Sequence, residues 1–151
     1  MTKQPNPSKN YRTFVLILLT LVYSFNFIDR QIVGILAPFI QKDLDLTNTQ
    51  MGMLTGLLFA ALYTVVAIPI AWLADRYSRV NILSIALATW SGFTALFGLA
   101  GNFLQIGLAR MGVGIGEAGG SPASHSIISD LYPKEERAGA LGVYSMGIPL
   151  G

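Results

Sequence analysis

The sequence predicts an all-α protein embedded in a membrane, with four transmembrane helices and the start of a fifth. Hydrophobic residues make up 52% of the chain and charged residues only 12%, whereas a soluble domain carries about 25% charged residues. The charges cluster in short segments, and long apolar stretches lie between them. This pattern is typical of membrane spans separated by polar loops and speaks against a water-soluble globule.

Charge and composition also exclude several classes of function. The net charge of +2 is small and scattered, which speaks against a nucleic-acid partner. The chain has no cysteine, so a disulfide scaffold and thiol-based metal or redox sites are excluded. The sequence holds no nucleophile–base pair, phosphate loop or metal-ligand cluster, and we therefore expect no enzyme, no cofactor and no metal.

The chain divides into a polar tail and a membrane domain. Residues 1–12 predict a disordered cytoplasmic tail, and residues 13–151 form the membrane domain. A signal peptide is the alternative for the first apolar stretch, but no small-x-small cleavage site follows it. The predicted spans cover about 13–40, 50–74, 80–100, 103–129 and 138–151, the last of them incomplete.

Local signals set the ends of several spans. Thr47 and Gln50 have the spacing of a capping box for the second span. The short hinge Gly101-Asn102 makes the third and fourth spans an antiparallel hairpin. Pro133 suits the first turn of the helix that follows the fourth span.

Small residues recur at a spacing of four in two spans. This spacing places them on one helical face, where another helix backbone can approach closely. They are Gly52 and Gly56 in the second span, and Gly112, Gly116 and Gly120 in the fourth.

The cations predict the orientation, because cytoplasmic loops carry an excess of Lys and Arg. With a cytoplasmic amino terminus, the outer side holds only Lys42. The inner side then holds Lys3, Lys9, Arg12, Arg76, Arg79, Lys134 and Arg137. An integral, multi-pass protein with its amino terminus inside is predicted, in the inner membrane if the source is bacterial.

Four ionisable residues fall inside the spans, namely Asp29, Arg30, Arg110 and Glu117. A charge in hydrocarbon costs on the order of 3 kcal/mol or more, so such residues are normally kept for a function. Arg110 and Glu117 are seven residues apart and share a helical face. Arg30 is expected either to snorkel or to pair with Asp29. His125 lies near the end of its span and is expected to be an interfacial residue rather than a proton carrier.

The loop from Ala71 to Arg79 resembles the signature loop of the major facilitator superfamily, G-x-x-x-D-R-x-G-R, with Ala71 and Ser78 in place of its two glycines. Arg110 with its following glycines resembles the family's R-x-x-x-G motif. Gly147 and Pro149, with the neighbouring glycines, resemble the start of its Gly-Pro motif. Within the superfamily, the segments 26–30, 114–118, 121–123 and 130–137 look like the spinster family of lysolipid and sphingolipid transporters.

The resemblance implies the amino-terminal six-helix half of a major facilitator fold, with the carboxy-terminal half of the same transporter as its partner. It implies a central cavity lined by the first and fourth helices, where Arg110 could exchange between Asp29 and Glu117. It also implies a cytoplasmic gating set, to which we assign Asp75, Arg76, Arg79, Asp130 and Arg137. Gly147 and Pro149 are assigned to helix packing.

The function implied is alternating-access transport of a small amphiphilic organic solute across the lipid bilayer, coupled to H⁺. A drug or metabolite exporter of the same superfamily is the alternative. A channel or a non-transporting membrane scaffold is a further alternative, although neither needs a glycine-rich fourth helix.

Overall fold

The computed structural model describes residues 7–151, apart from the side chains of Leu58 and Asp75. All regular secondary structure in this part of the chain is helical, as the sequence predicts. The elements are α1 Lys9–Asp43, α2 Asn48–Gly52, a π-helical turn Met53–Leu57, α3 Leu58–Arg76, α4 Arg79–Gly98, α5 Phe103–Leu131, α6 Lys134–Ser145 and α7 Gly147–Leu150.

Helix α1 is continuous through the polar break and through Pro38. It begins at Lys9, four residues before the predicted start, because the Ser8 side chain accepts a hydrogen bond from the Tyr11 N–H at 3.3 Å. Its 35 residues correspond to about 52 Å. Part of the predicted tail, residues 1–6, lies outside the described residues.

The second span begins at the predicted capping box. The Gln50 N–H donates to Thr47 Oγ1 at 3.3 Å, and the Thr47 N–H donates to Gln50 Oε1 at 2.8 Å. The helix then widens into the π-helical turn before it continues as α3. Such turns often lie near functional sites, and this one ends two residues before Phe59, which contacts the site described below.

Three helical stretches are long and apolar enough to cross a membrane: Lys9–Asp43, Asn48–Ala74 and Arg79–Gly98. Helix α5 has 29 residues, enough to span, but its residues are not uniformly apolar. It packs extensively against α3 and α4, and most of its buried residues lie between Ile106 and Ala123. A helix enclosed by other helices does not need an apolar face all round, which explains why it carries glycine and charge.

Glycines bring α5 close to α4. A Cβ on Gly112 would overlap the Phe93 ring, one on Gly116 would lie 2.5 Å from the Trp90 backbone N, and one on Gly119 would lie 2.9 Å from the Ala86 Cβ. Gly112 and Gly116, which the sequence predicts to pack, therefore lie against α4, and Gly119 lies against it as well.

At the other predicted packing positions, the described part of the chain offers no neighbour. A Cβ on Gly52, Gly56 or Gly120 would meet nothing within 4 Å. The predicted role of these three glycines in packing therefore finds no partner among the described helices.

The short helices α6 and α7 pack against α1. A Cβ on Gly147 would lie 2.9 Å from the Thr20 carbonyl oxygen, so the backbones of α7 and α1 are close at this glycine. The rings of Tyr23 and Tyr144 stack with centroids 4.6 Å apart.

The two prolines of this region differ in position. Pro149 lies in α7 and is exposed. Pro133 precedes α6 as its N-cap residue rather than lying in its first turn.

Candidate functional site

The four ionisable residues of the spans gather at one place between α1 and α5. Asp29 and Arg30 are consecutive in the middle of α1, and Arg110 and Glu117 lie two turns apart on the same face of α5. The structure thus brings together all four residues that the sequence singles out. Their part in coupling stays a prediction.

These residues form two crossed ion pairs. Arg30 Nε donates to Glu117 Oε2 at 2.7 Å, and Arg110 Nη1 lies 3.7 Å from Asp29 Oδ2. The expectation that Arg30 snorkels or pairs with Asp29 is wrong, since its partner is Glu117. With about 3.6 residues per turn, adjacent residues point about 100° apart around the helix axis, so Asp29 and Arg30 reach different partners.

Burial is graded across the cluster. The side chain of Glu117 is 0% exposed and that of Arg110 4%, whereas Asp29 is 15% and Arg30 35% exposed. Glu117 Oε1 and Arg110 Nε are buried without a hydrogen-bond partner among the described residues. The residues of α5 in this cluster are therefore shielded from solvent, and those of α1 are partly exposed to it.

Aromatic rings from α3 cover the two guanidinium groups. The Arg30 guanidinium carbon lies 5.2 Å from the Phe59 ring centroid and 5.0 Å from that of Tyr63, and the Arg110 carbon lies 4.5 Å from that of Phe59. Ring faces attract cations at such distances. Sequence reasoning missed Phe59 and Tyr63, although a tyrosine in an apolar span is a signal of a polar neighbour.

A groove of about 580 Å³ opens beside Asp29 between α1 and α4. Its walls are mostly apolar and include Phe25, Ile28 and Ile32. Thr94 Oγ1 lies 3.5 Å from Asp29 Oδ1, at the limit of a hydrogen bond. The groove thus offers a ligand one carboxylate together with an aliphatic and aromatic surface.

The predicted gating residues lie at the opposite end of α5 from Asn102. Arg79 and Asp130 form an ion pair that joins the start of α4 to the end of α5. Arg137 Nη2 donates to the Ser129 carbonyl oxygen at 2.6 Å. The Arg76 guanidinium carbon lies 4.0 Å from the Trp72 ring centroid. The side chain of Asp75 is outside the described residues.

His125 lies near this end of α5 on the exposed surface. Its ring meets that of Tyr144 edge to face, with centroids 5.3 Å apart. This position agrees with an interfacial residue.

Residues 19–151 match the model of the Major Facilitator Superfamily. The chain is 35% identical to an MFS-type efflux pump of Mycolicibacterium smegmatis, over 88% of the chain and 31% of that protein. It is 34% identical to Protein spinster of Drosophila melanogaster, over 91% of the chain and 23% of that protein.

Among solved structures, the chain resembles a bacterial homologue of the human lysosomal transporter Spinster in its inward-facing, unoccupied conformation. The TM-score is 0.89 and the identity 47%, over 95% of this chain and 30% of that one. The chain thus spans less than a third of the length of each of these relatives.

Proposed function

This chain belongs to the major facilitator superfamily, a family of multi-pass membrane proteins, and from this membership we propose that it is the amino-terminal part of a secondary transporter. The transporter carries an amphiphilic organic solute across the bilayer by alternating access, and a proton gradient drives it. The chain supplies most of one six-helix half, and the other half belongs to the same transporter.

The crossed ion pairs between α1 and α5 are the observation that carries the proposal. Removing two charges from water costs about as much as their attraction returns, so a buried ion pair adds little stability over apolar residues of the same size. Two such pairs, formed by Asp29 with Arg110 and by Arg30 with Glu117, are therefore better explained by a function than by stability.

Protonation of one carboxylate would release its guanidinium partner. If Glu117 takes up a proton, Arg30 loses its counter-charge, and its partly exposed side chain can turn toward Asp29. If Asp29 is protonated instead, Arg110 can turn toward Glu117. Because α1 and α5 each carry one acid and one base, exchange of partners favours a different packing of the two helices. This links proton uptake to a change of conformation.

The groove beside Asp29 supports an amphiphilic solute. Its walls are mostly apolar, with Phe25, Ile28 and Ile32 available to an aliphatic portion, and Asp29 offers a carboxylate to a polar or cationic head group. A lysolipid or a sphingolipid-like molecule has this combination. The similarity to Protein spinster and to the bacterial homologue of the lysosomal transporter Spinster supports a transporter, and the amphiphilic solute is part of the proposal.

The gating end supports the proposed topology. The pair Arg79–Asp130 joins two helix ends at the surface predicted to be cytoplasmic, as expected of a contact that breaks and re-forms when helices rock. Arg76 and Arg137 lie at the same end. The amino terminus is cytoplasmic in this proposal.

A drug or metabolite exporter is the second candidate, and the similarity to the efflux pump of M. smegmatis favours it. The same charge cluster would serve either carrier. Saturable counterflow in reconstituted vesicles separates both carriers from a channel or a scaffold. The two carriers are then distinguished by measuring from which side of the membrane an amphiphile or a drug is transported.

The decisive experiment replaces the two carboxylates in the full-length transporter. Asp29→Asn and Glu117→Gln should each abolish the dependence of transport on a proton gradient and leave the folded protein in the membrane. Glu135→Gln, at an exposed position in the first turn of α6, is the matched control and should keep it. If both site variants retain wild-type, pH-dependent transport, these carboxylates are structural and the proposal is wrong.

A further inference from the structure

A small cavity lies beside Glu117, where α1, α4, α5 and α6 meet. Its volume is about 20 Å³. The proposed function does not use this cavity, since the partner of Glu117 in the ion pair is Arg30 and the groove lies beside Asp29. Its polar lining consists of Tyr23, Asn26, Trp90, Glu117, Ser121, Ser124 and Tyr144.

Two residues of this lining have a buried polar atom without a hydrogen-bond partner among the described residues. One is Glu117 Oε1, and the other is the indole Nε1 of Trp90. The second carboxylate oxygen of Glu117 already accepts from Arg30. Buried polar groups in proteins are almost always paired with protein or with ordered water, so both atoms point to a missing partner.

The size and chemistry of the cavity fit one water molecule. A water needs about 10–15 Å³ of such space and two to four polar partners. The Trp90 indole can only donate and an ionised Glu117 can only accept, and a water molecule can accept from one and donate to the other. A metal cation is disfavoured because the indole N–H would point at it. We propose that an ordered water bridges Trp90 and Glu117 and delivers protons to the Glu117 carboxylate.

Hydroxyl groups continue this route along α5. Ser121 and Ser124 follow Glu117 by four and seven residues, so all three lie on one helical face, and the Tyr144 hydroxyl group belongs to the same lining. The face leads toward the end of α5 that carries the pair Arg79–Asp130, which is the predicted cytoplasmic end.

The proton balance is simple. Each hydroxyl and the water gives one proton to the next oxygen and receives one from the previous oxygen. The net result is one proton taken from the cytoplasmic side and one neutral carboxylic acid formed at Glu117. No oxidant or other reactant is needed.

The charged and titratable groups around Glu117 come from several helices. Trp90, its contact on α4, is neutral. The others are Tyr23, Asp29 and Arg30 from α1, Arg110 from α5, Tyr63 from α3 beside Arg30, and Tyr144 from α6.

The inference rests on the proposed proton coupling, and the experiment separates the two. In the full-length transporter, the pH on the cytoplasmic side is lowered abruptly, and the infrared carbonyl band of the carboxylic acid is followed in time. The band of Glu117 is identified by its loss in Glu117→Gln. Trp90→Phe removes the indole donor and Ser124→Ala removes a hydroxyl, so each should slow the appearance of the band about tenfold.

Matched controls remove the same chemistry elsewhere. Trp72→Phe changes the exposed tryptophan of α3 and should leave the rate unchanged. If Trp90→Phe does not fold, Ser121→Ala replaces it, because Ser121 lines the cavity and the change removes a hydroxyl group from the route. This variant should also slow the appearance of the band. Ser145→Ala, which removes an exposed hydroxyl group from α6, should not.

The outcomes are distinguishable. A water within about 3 Å of both atoms in a high-resolution structure of the full-length protein, with slowed variants, supports the inference. Wild-type rates in Trp90→Phe, Ser124→Ala and Ser121→Ala, or a protein side chain that fills the cavity, overturn it and leave the proposed function intact. If no band depends on Glu117, this carboxylate takes up no proton and the inference fails. The proposed function fails only if Asp29→Asn and Glu117→Gln both keep the dependence of transport on the proton gradient.

Discussion

The two partners of the Arg30–Glu117 ion pair should respond unequally to removal. Glu117 is 0% exposed, whereas Arg30 is 35% exposed. Arg30→Gln leaves an ionised carboxylate enclosed, and the loss of one partner of a buried pair costs about 3–5 kcal/mol. We expect the lower end, about 3 kcal/mol, because the pair is open to solvent on the Arg30 side.

Glu117→Gln should cost less. The guanidinium that remains is 35% exposed, and the neutral amide keeps the shape of the side chain and a hydrogen-bond acceptor. We expect about 1 kcal/mol, the usual net value of one hydrogen bond. The free energy of unfolding should therefore fall by about 2 kcal/mol more in Arg30→Gln than in Glu117→Gln.

The assay is thermal unfolding of the full-length protein in detergent at several pH values. The loss of stability in Arg30→Gln should shrink as the pH falls, because a protonated Glu117 no longer needs a counter-charge. Arg12→Gln is the control. Its ion pair with Glu136 is 3.5 Å long and Glu136 is 61% exposed, so the change should cost at most about 1 kcal/mol. An equal or larger loss in Glu117→Gln, independent of pH, would refute the reasoning.

The remaining predictions concern topology, helix packing and the extent of the functional unit. Reporter fusions after Lys42 and after Arg79 should give opposite activities, and identical activities would contradict the topology. Gly116→Ala places a Cβ 2.5 Å from the Trp90 backbone N and should destabilise the folded protein by about 1–3 kcal/mol in a thermal unfolding assay, whereas Gly142→Ala, in open space, should not. The isolated chain should not transport an amphiphile in vesicles, because alternating access needs both halves; uptake at the rate of the full-length protein would overturn this.

Local features were predictable from the sequence because they depend on residues close together in the chain. The capping box at Thr47 and Gln50 needs only a spacing of three. The turn after α1 also has a local cause, since Asp45 adopts a positive φ of 49°, which Asp tolerates better than most residues. Apolar length alone predicted three of the spans.

The site was predictable as a set of residues but not as a set of contacts. The cost of charge in hydrocarbon singled out Asp29, Arg30, Arg110 and Glu117 without knowledge of their positions. The aromatic cover was missed because Phe59 and Tyr63 sit in a span whose sequence shows no charge to which they could bind, and the contact exists only when α3 packs beside α5.

The sequence by itself determined the helical membrane architecture, the order of the spans and the identity of the buried charges, since these follow from hydropathy and local spacing. The tertiary structure alone decided the crossed pairing of Arg30 with Glu117 and of Asp29 with Arg110. It also decided that Gly119 rather than Gly120 faces α4, and that Trp90 shares a cavity with Glu117. Each of these depends on the rotation and depth of one helix relative to another, and helix packing fixes both through side chains far apart in the chain.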